Sequence, residues 1–165
     1  MFKGLKFIGA IAVIACAFGA PAFAQSQSAC AVDLKTTGEI EKEVVNAQGE
    51  KTKVLSPADK VIPGTEVIWT VTATNGCKKP ADKPVINNPV PEHMTLVPGS
   101  VVGAGSDISY SVDGKTFGAI DKLTVTQDGA TRPARAEDIK HIRWEFRNSL
   151  QPGASAFGRF RAVLN

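Results

Sequence analysis

The sequence predicts an all-β protein, a sandwich or barrel of short antiparallel strands. Three observations carry this. Apolar residues alternate with a period of two, no segment sustains a 3.6-residue apolar period, and turn pairs punctuate the chain at short intervals. In "TEVIWTVTATN", Val67, Trp69, Val71 and Ala73 fall on one face and Glu66, Ile68, Thr70, Thr72 and Thr74 on the other. In "IKHIRWEF", Lys140, Ile142, Trp144 and Phe146 alternate with Ile139, His141, Arg143 and Glu145. In the last segment Phe160, Ala162 and Leu164 alternate with Arg159, Arg161 and Val163. Shorter runs occur at "DISYSV" and "KLTVTQ".

The chain opens differently. "MFKGLK" is a basic leader, "FIGAIAVIACAFGA" an apolar stretch, and "PAFAQS" carries small residues at Ala22 and Ala24. These are the three parts of a secretory signal peptide, residues 1–24. The apolar core is short for a membrane span of about 20 residues. The alternative is a lipoprotein box, "VIAC", ending at Cys16. Both expectations place the protein outside the cytoplasm, in the periplasm or at the cell surface.

Removing residues 1–24 from the 165 leaves 141, enough for one domain with its own core. Lys3 and Lys6 leave with the leader, so 19 basic residues become 17 against 16 acidic ones. That near-neutral balance excludes the basic footprint of a nucleic-acid binder. The mature chain keeps two cysteines, Cys30 and Cys77, and in an oxidising compartment a disulfide is expected. Closing a loop of that length contributes about 4 kcal/mol on chain entropy.

The turn signals then follow in order: "AQGE", "IPGT", "TNGC", "VPGS", "VDGK", "QDGA" and "QPGA". "EIEKEVV" could nucleate a helical turn, but the "NAQGE" after it reads as the bend of an edge hairpin. Residues 25–54 are therefore expected to hold that hairpin and 55–165 the body of the domain. "NNPVPEHMTLVPGS" (87–100) is expected to be a crossover corner. Pro89 and Pro91 forbid a regular central strand, "MTLV" resumes as a short one with Met94 and Leu96 facing the core, and His93 points to solvent.

Three segments resemble one family. "KVIPGTEVIWTVTATNGC", "NPVPEHMTLVPGS" and "IRWEFRNSLQPGASAFGRFRAVL" look like the bacterial surface-protein repeat called domain of unknown function eleven. The shared features are Pro63-Gly64, Trp69 and Asn75, then Pro91, Met94, Gly99 and Ser100, then Trp144, Leu150, Pro152 and Gly153. The resemblance spans about residues 55–165. It implies an immunoglobulin-like antiparallel β-sandwich on the cell envelope, and it implies no reaction. The sequence departs from the family in carrying "NNP" where an Asp is usual, and in holding one unit rather than tandem repeats.

Candidate chemistry is sparse. There is no G-x-S-x-G, no H-E-x-x-H and no P-loop, and "GAG" at 103–105 lacks the third glycine of a nucleotide fingerprint. Asp113-Gly114 and Asp128-Gly129 read as turn pairs rather than calcium loops. No cofactor or metal is expected. Both tryptophans share a face with aliphatic residues and read as core anchors rather than sugar platforms. One surface stands out. If "HIRWEFR" and "GRFRAV" are neighbouring strands, Arg143, Arg159 and Arg161 line one outward face, with Arg147 near the turn. Such a ribbon would suit an anionic envelope polymer or an acidic patch on an envelope protein. The plainer and favoured reading is charged decoration that keeps a late strand, at an edge, from self-pairing. The expected function is a non-catalytic structural or interaction module of the bacterial envelope. An adhesin or appendage subunit acting by β-augmentation is the alternative, and a small hydrolase built on His93 a more distant one.

Overall fold

The computed structural model describes residues 31–165; the leader, Cys16 and Cys30 lie outside the described residues. Ten strands run β1 (Val32–Val45), β2 (Lys51–Pro57), β3 (Glu66–Asn75), β4 (Val85–Pro89), β5 (Met94–Leu96), β6 (Ser106–Ser111), β7 (Thr124–Gln127), β8 (Ala130–Pro133), β9 (His141–Phe146) and β10 (Ser155–Leu164). A five-stranded sheet has the order β2-β1-β3-β10-β5, and a three-stranded sheet the order β4-β9-β6. β7 and β8 form a separate ribbon, whose Asp128 and Gly129 both have positive φ as a tight hairpin turn requires. Among the described residues every strand pairing is antiparallel.

The two sheets enclose one core. Val71, Ala73, Leu96, Phe160 and Ala162 come from the large sheet; Ile86, Ile142, Trp144 and Phe146 come from the small one. Alternation therefore did place the cores of β3, β9 and β10 correctly. One detail differs: Ile139 is buried and Lys140 exposed, because a 3-10 turn at Ala136–Asp138 delivers Ile139 inward before the strand begins at His141. Ile68, on the outward face of β3, is also buried, in the row between Glu39 and Arg161.

Trp144 is the centre of the packing. Its ring is fully buried, its Nε1 donates to the Val102 carbonyl at 3.0 Å, and its centroid lies 6.3 Å from that of Phe160. Glycines flank it on two sides. A Cβ at Gly158 would stand 2.4 Å from Trp144 Cε2, and one at Gly103 2.4 Å from Cδ1. Gly103, the first glycine of "GAG", thus leaves room for the indole, whereas a Cβ at Gly105 would meet nothing within 4 Å. Trp69 is half-buried against the same core and lies over Gly38, its cross-strand partner on β1.

Asn75, fully buried, closes the end of β3. Its Nδ2 donates to the carbonyls of Lys79 (2.9 Å) and Leu150 (2.8 Å), and its Oδ1 accepts from the Cys77 amide at 3.0 Å. One side chain thus satisfies the backbone of the "TNGC" turn and the approach to β10, groups that would be costly to bury unpaired.

The expected edge hairpin is present, but β2 continues to Pro57, so the boundary expected after residue 54 falls inside a strand. Asn46 Oδ1 accepts from the amides of Gln48 (3.0 Å) and Glu50 (2.8 Å), Gly49 takes φ 83°, and β2 forms the edge of the large sheet. The segment "EIEKEVV" is strand, not helix, since it pairs along its length with β2. β4 was not expected as a strand. It forms because it is an edge strand, and Pro89 occupies its last position, where a missing donor is tolerated.

Candidate functional site

The corner at 87–100 does cross between sheets, from β4 in the small sheet to β5 in the large one. Met94 and Leu96 point toward the core as their spacing requires, Leu96 fully and Met94 in part. His93 adopts φ 61°, a left-handed conformation that histidine takes more readily than most residues, and its carbonyl accepts the Asn165 amide at 2.8 Å. The corner borders an open cleft of about 570 Å³, lined by Glu92, His93, Thr95, Glu137, Lys140 and Asn165 among others. Thr95 Oγ1 donates to Asn165 Oδ1 at 2.8 Å, yet the exposed His93 imidazole has no hydrogen-bond partner among the described residues. A general base is oriented by a hydrogen-bonded partner, and among the described residues no hydrogen bond orients this ring.

His141 stands elsewhere, on β9. Its ring packs on Gly114, and its Nδ1 is buried without a partner. Ser111 faces it across the ladder, and Asp113 follows two residues on, so serine, aspartate and histidine gather at one end of the small sheet. Their bonding does not form a relay. Ser111 Oγ donates to Asp113 Oδ1 at 2.9 Å and accepts the Gly114 amide at 2.9 Å. Asp113 accepts the Thr116 amide (2.9 Å), the Lys115 amide (2.8 Å) and that hydroxyl, which together pull its carboxyl down to about 2. The aspartate's hydrogen bonds go to the amides of Lys115 and Thr116 and to Ser111, so the cluster locks a turn.

The four arginines do not share a surface. β9 and β10 are not neighbours: β9 is the middle strand of the small sheet and β10 lies between β3 and β5 of the large one. The "QPGA" turn carries the chain across the sandwich instead of folding it into a hairpin, so Arg143 and Arg147 end on one side and Arg159 and Arg161 on the other. Arg143 lies 3.5 Å over the Phe117 ring and 3.7 Å from Glu145. Arg147 is paired with Asp107 at 2.5 Å. Arg161 pairs with Glu66 at 2.7 Å and Glu41 at 2.8 Å. Glu41 also holds Lys53 at 3.1 Å, so one ionic chain ties four strands; the Arg161 guanidinium, with Lys53 second, pulls the Glu41 carboxyl below its usual range. Arg159 donates Nε to Thr70 Oγ1 at 3.0 Å and has no carboxylate partner among the described residues. Most of the expected anion-binding charge is already neutralised.

Comparison with family models, curated proteins and solved structures returns no match. No helix among the described residues is long and apolar enough to cross a membrane.

What the sequence reading did not locate is the reach of the hairpin. β1 pairs with β3 only over Val32–Glu39 and with β2 only over Glu39–Val45. Beyond Glu39 the two strands pair only with each other, and past Glu41, which Arg161 still holds, they continue as a two-stranded ribbon. Val44, Val45, Val54 and Leu55 on it are each at least 40% exposed. An isolated ribbon of two strands is marginal in water, and apolar residues on both its faces are left for something to cover. The length of the alternating run before "NAQGE" was the available signal.

Proposed function

We propose that this protein is an exported, non-catalytic interaction module of the bacterial envelope, with an immunoglobulin-like sandwich of the kind its motifs resemble. It docks on an envelope protein through the projecting β1–β2 hairpin, by strand addition along β2. The observation that carries this reading is the ribbon itself. It continues past its pairing with β3, exposes apolar side chains on both faces, and ends the sheet with an unpaired strand among the described residues. Docking through a single arginine ribbon is set aside, because those side chains lie on separate sheets. A Cys30–Cys77 disulfide fits this compartment. It is supported by the Cys77 sulfur lying 3.7 Å from the carbonyl oxygen of Ala31, the residue after Cys30.

Two measurements test the reading. Intact mass of the protein recovered from fractionated cells should show a chain beginning at Gln25 with two thiols oxidised; a full-length chain confined to the cytoplasm would refute export. Replacing Val44, Val54 and Leu55 together with Thr should release the protein from its envelope fraction while leaving Tm nearly unchanged. Unaltered retention would remove the hairpin from the reading.

A further inference from the structure

The near half of β1 is open in a different way from the hairpin. β2 covers β1 only from Glu39 onward, and the Ala58 amide bonds the Gly38 carbonyl at 3.0 Å where that cover ends. Among the described residues no strand lies beside Val32–Thr37 on that side. Asp33 through Thr37 are all exposed. Leu34 shares a face with the fully buried Ala73, its cross-strand partner, yet is 58% exposed, because it lies on the core side beyond the cover of the small sheet. Asp33 and Lys35 flank it on the outer face, and neither has an ion-pair partner among the described residues.

This short sequence is self-complementary. In an antiparallel pairing of β1 with β1 of a second copy about a two-fold axis at Leu34, Asp33 of each chain meets Lys35 of the other. Leu34 meets Leu34 and Val32 meets Thr36. Neighbouring registers fail. Centring on Asp33 sets aspartate against aspartate, and centring on Lys35 sets lysine against lysine. A shift by one residue places Leu34 opposite a charge and exchanges the faces of the sheet. Cross-strand ion pairs favour their register, and like charges directly opposite disfavour it. Isologous pairing of one edge with itself is also the symmetry that closes a dimer rather than building a fibre.

We propose that the protein self-associates through this edge, forming a two-fold dimer in which β1 pairs with β1 and the two large sheets become continuous. The contact involves a different stretch of β1 from the projecting hairpin, so it stands or falls independently of what the hairpin binds. The ladder is only about five residues long and closes a small area, so the association is weak and concentration-dependent.

Charge exchange tests it on the full exported chain, with sedimentation velocity from micromolar to millimolar protein. The wild type should shift from monomer toward twice the monomer mass. Asp33→Lys and Lys35→Asp should each raise the dissociation constant by about tenfold or more, since each turns two attractive contacts into repulsive ones. An equimolar mixture of the two variants should regain association as a heterodimer, and the double exchange should dimerise by itself. A wild type that stays monomeric throughout would overturn the proposal. So would single exchanges that associate as the wild type does, since that would place the contact elsewhere.

Discussion

Replacing Gly158 with alanine adds one methyl group at the tightest point of the core. On an ordinary strand position the change would stabilise, by about 0.5–1 kcal/mol, because alanine has less backbone freedom to lose on folding. Here the new Cβ would stand 2.4, 2.6 and 2.9 Å from three ring atoms of Trp144, closer than real contacts allow. The ring cannot slide away. The Gly103 backbone lies close enough on another side that it too has no room for a Cβ, and the ring's Nε1 is tied to the Val102 carbonyl. Overpacking of this kind costs about 1–3 kcal/mol, so the sign reverses and, with the backbone gain subtracted, a net loss of about 1 kcal/mol is expected. For a domain of this size that corresponds to roughly 3–5 °C in Tm. Urea unfolding followed by tryptophan fluorescence should show a lower midpoint with an unchanged slope. In the double variant with Trp144→Leu the alanine penalty should vanish, a coupling of about 1 kcal/mol or more. A midpoint for Gly158→Ala at or above the wild type would refute the packing argument.

Other outcomes can be checked on the same protein. Asn75→Ala should cost about 2–3 kcal/mol by leaving the buried carbonyls it serves unpaired, read from urea midpoints. Asn75→Asp should be worse at neutral pH than in acid, because only the protonated carboxyl can donate to the Leu150 or Lys79 carbonyl. Arg132 grips Asp138 with two bonds, 2.6 and 2.9 Å, and the Arg135 amide adds a third at 2.8 Å; that arginine pairing first, despite partial burial, holds the Asp138 carboxyl at about 2. Because the folded value lies below the unfolded one, the stabilisation is full above about pH 5 and lost as pH falls toward 2. In Tm measured against pH, the difference between wild type and Asp138→Asn should shrink across that window. With Cys30 and Cys77 joined as proposed, reduction should lower Tm by the equivalent of about 2–4 kcal/mol, with Cys77→Ser insensitive to reductant.

How far the sequence reaches depends on the physics behind each element. β3, β9 and β10 are legible because a half-buried strand must alternate, and Val67, Trp144 and Phe160 sit where alternation puts them. The crossover at 87–100 is legible because prolines cannot serve a central ladder. The position of β10 is not. Consecutive strands often pair, but the chain after Leu150 crosses the sandwich, and nothing in "QPGA" distinguishes a hairpin turn from a crossing. The roles of Gly103 and Gly158 are hidden for a related reason. A glycine reads as punctuation unless the ring it must admit is already known, and Trp144 comes from the opposite sheet. Asn75 belongs to the motif that suggested a family, yet its three hydrogen bonds involve Leu150, seventy-five residues away in sequence. The cleft beside His93 needs Glu137 and Asn165, which meet it only through the fold.

The location of β10 also sets the order of folding. The last ten-residue strand fills the slot between β3 and β5, and it brings Gly158 and Phe160 to Trp144. Until those residues are available, the large sheet has two open edges and the central indole has no floor. Contacts so distant in sequence form slowly, because long loops must close first. A chain made from its N-terminus would thus remain unable to close its sandwich until β10 had emerged. The same geometry means that losing β10 would take from the core both Phe160 and the floor under Trp144.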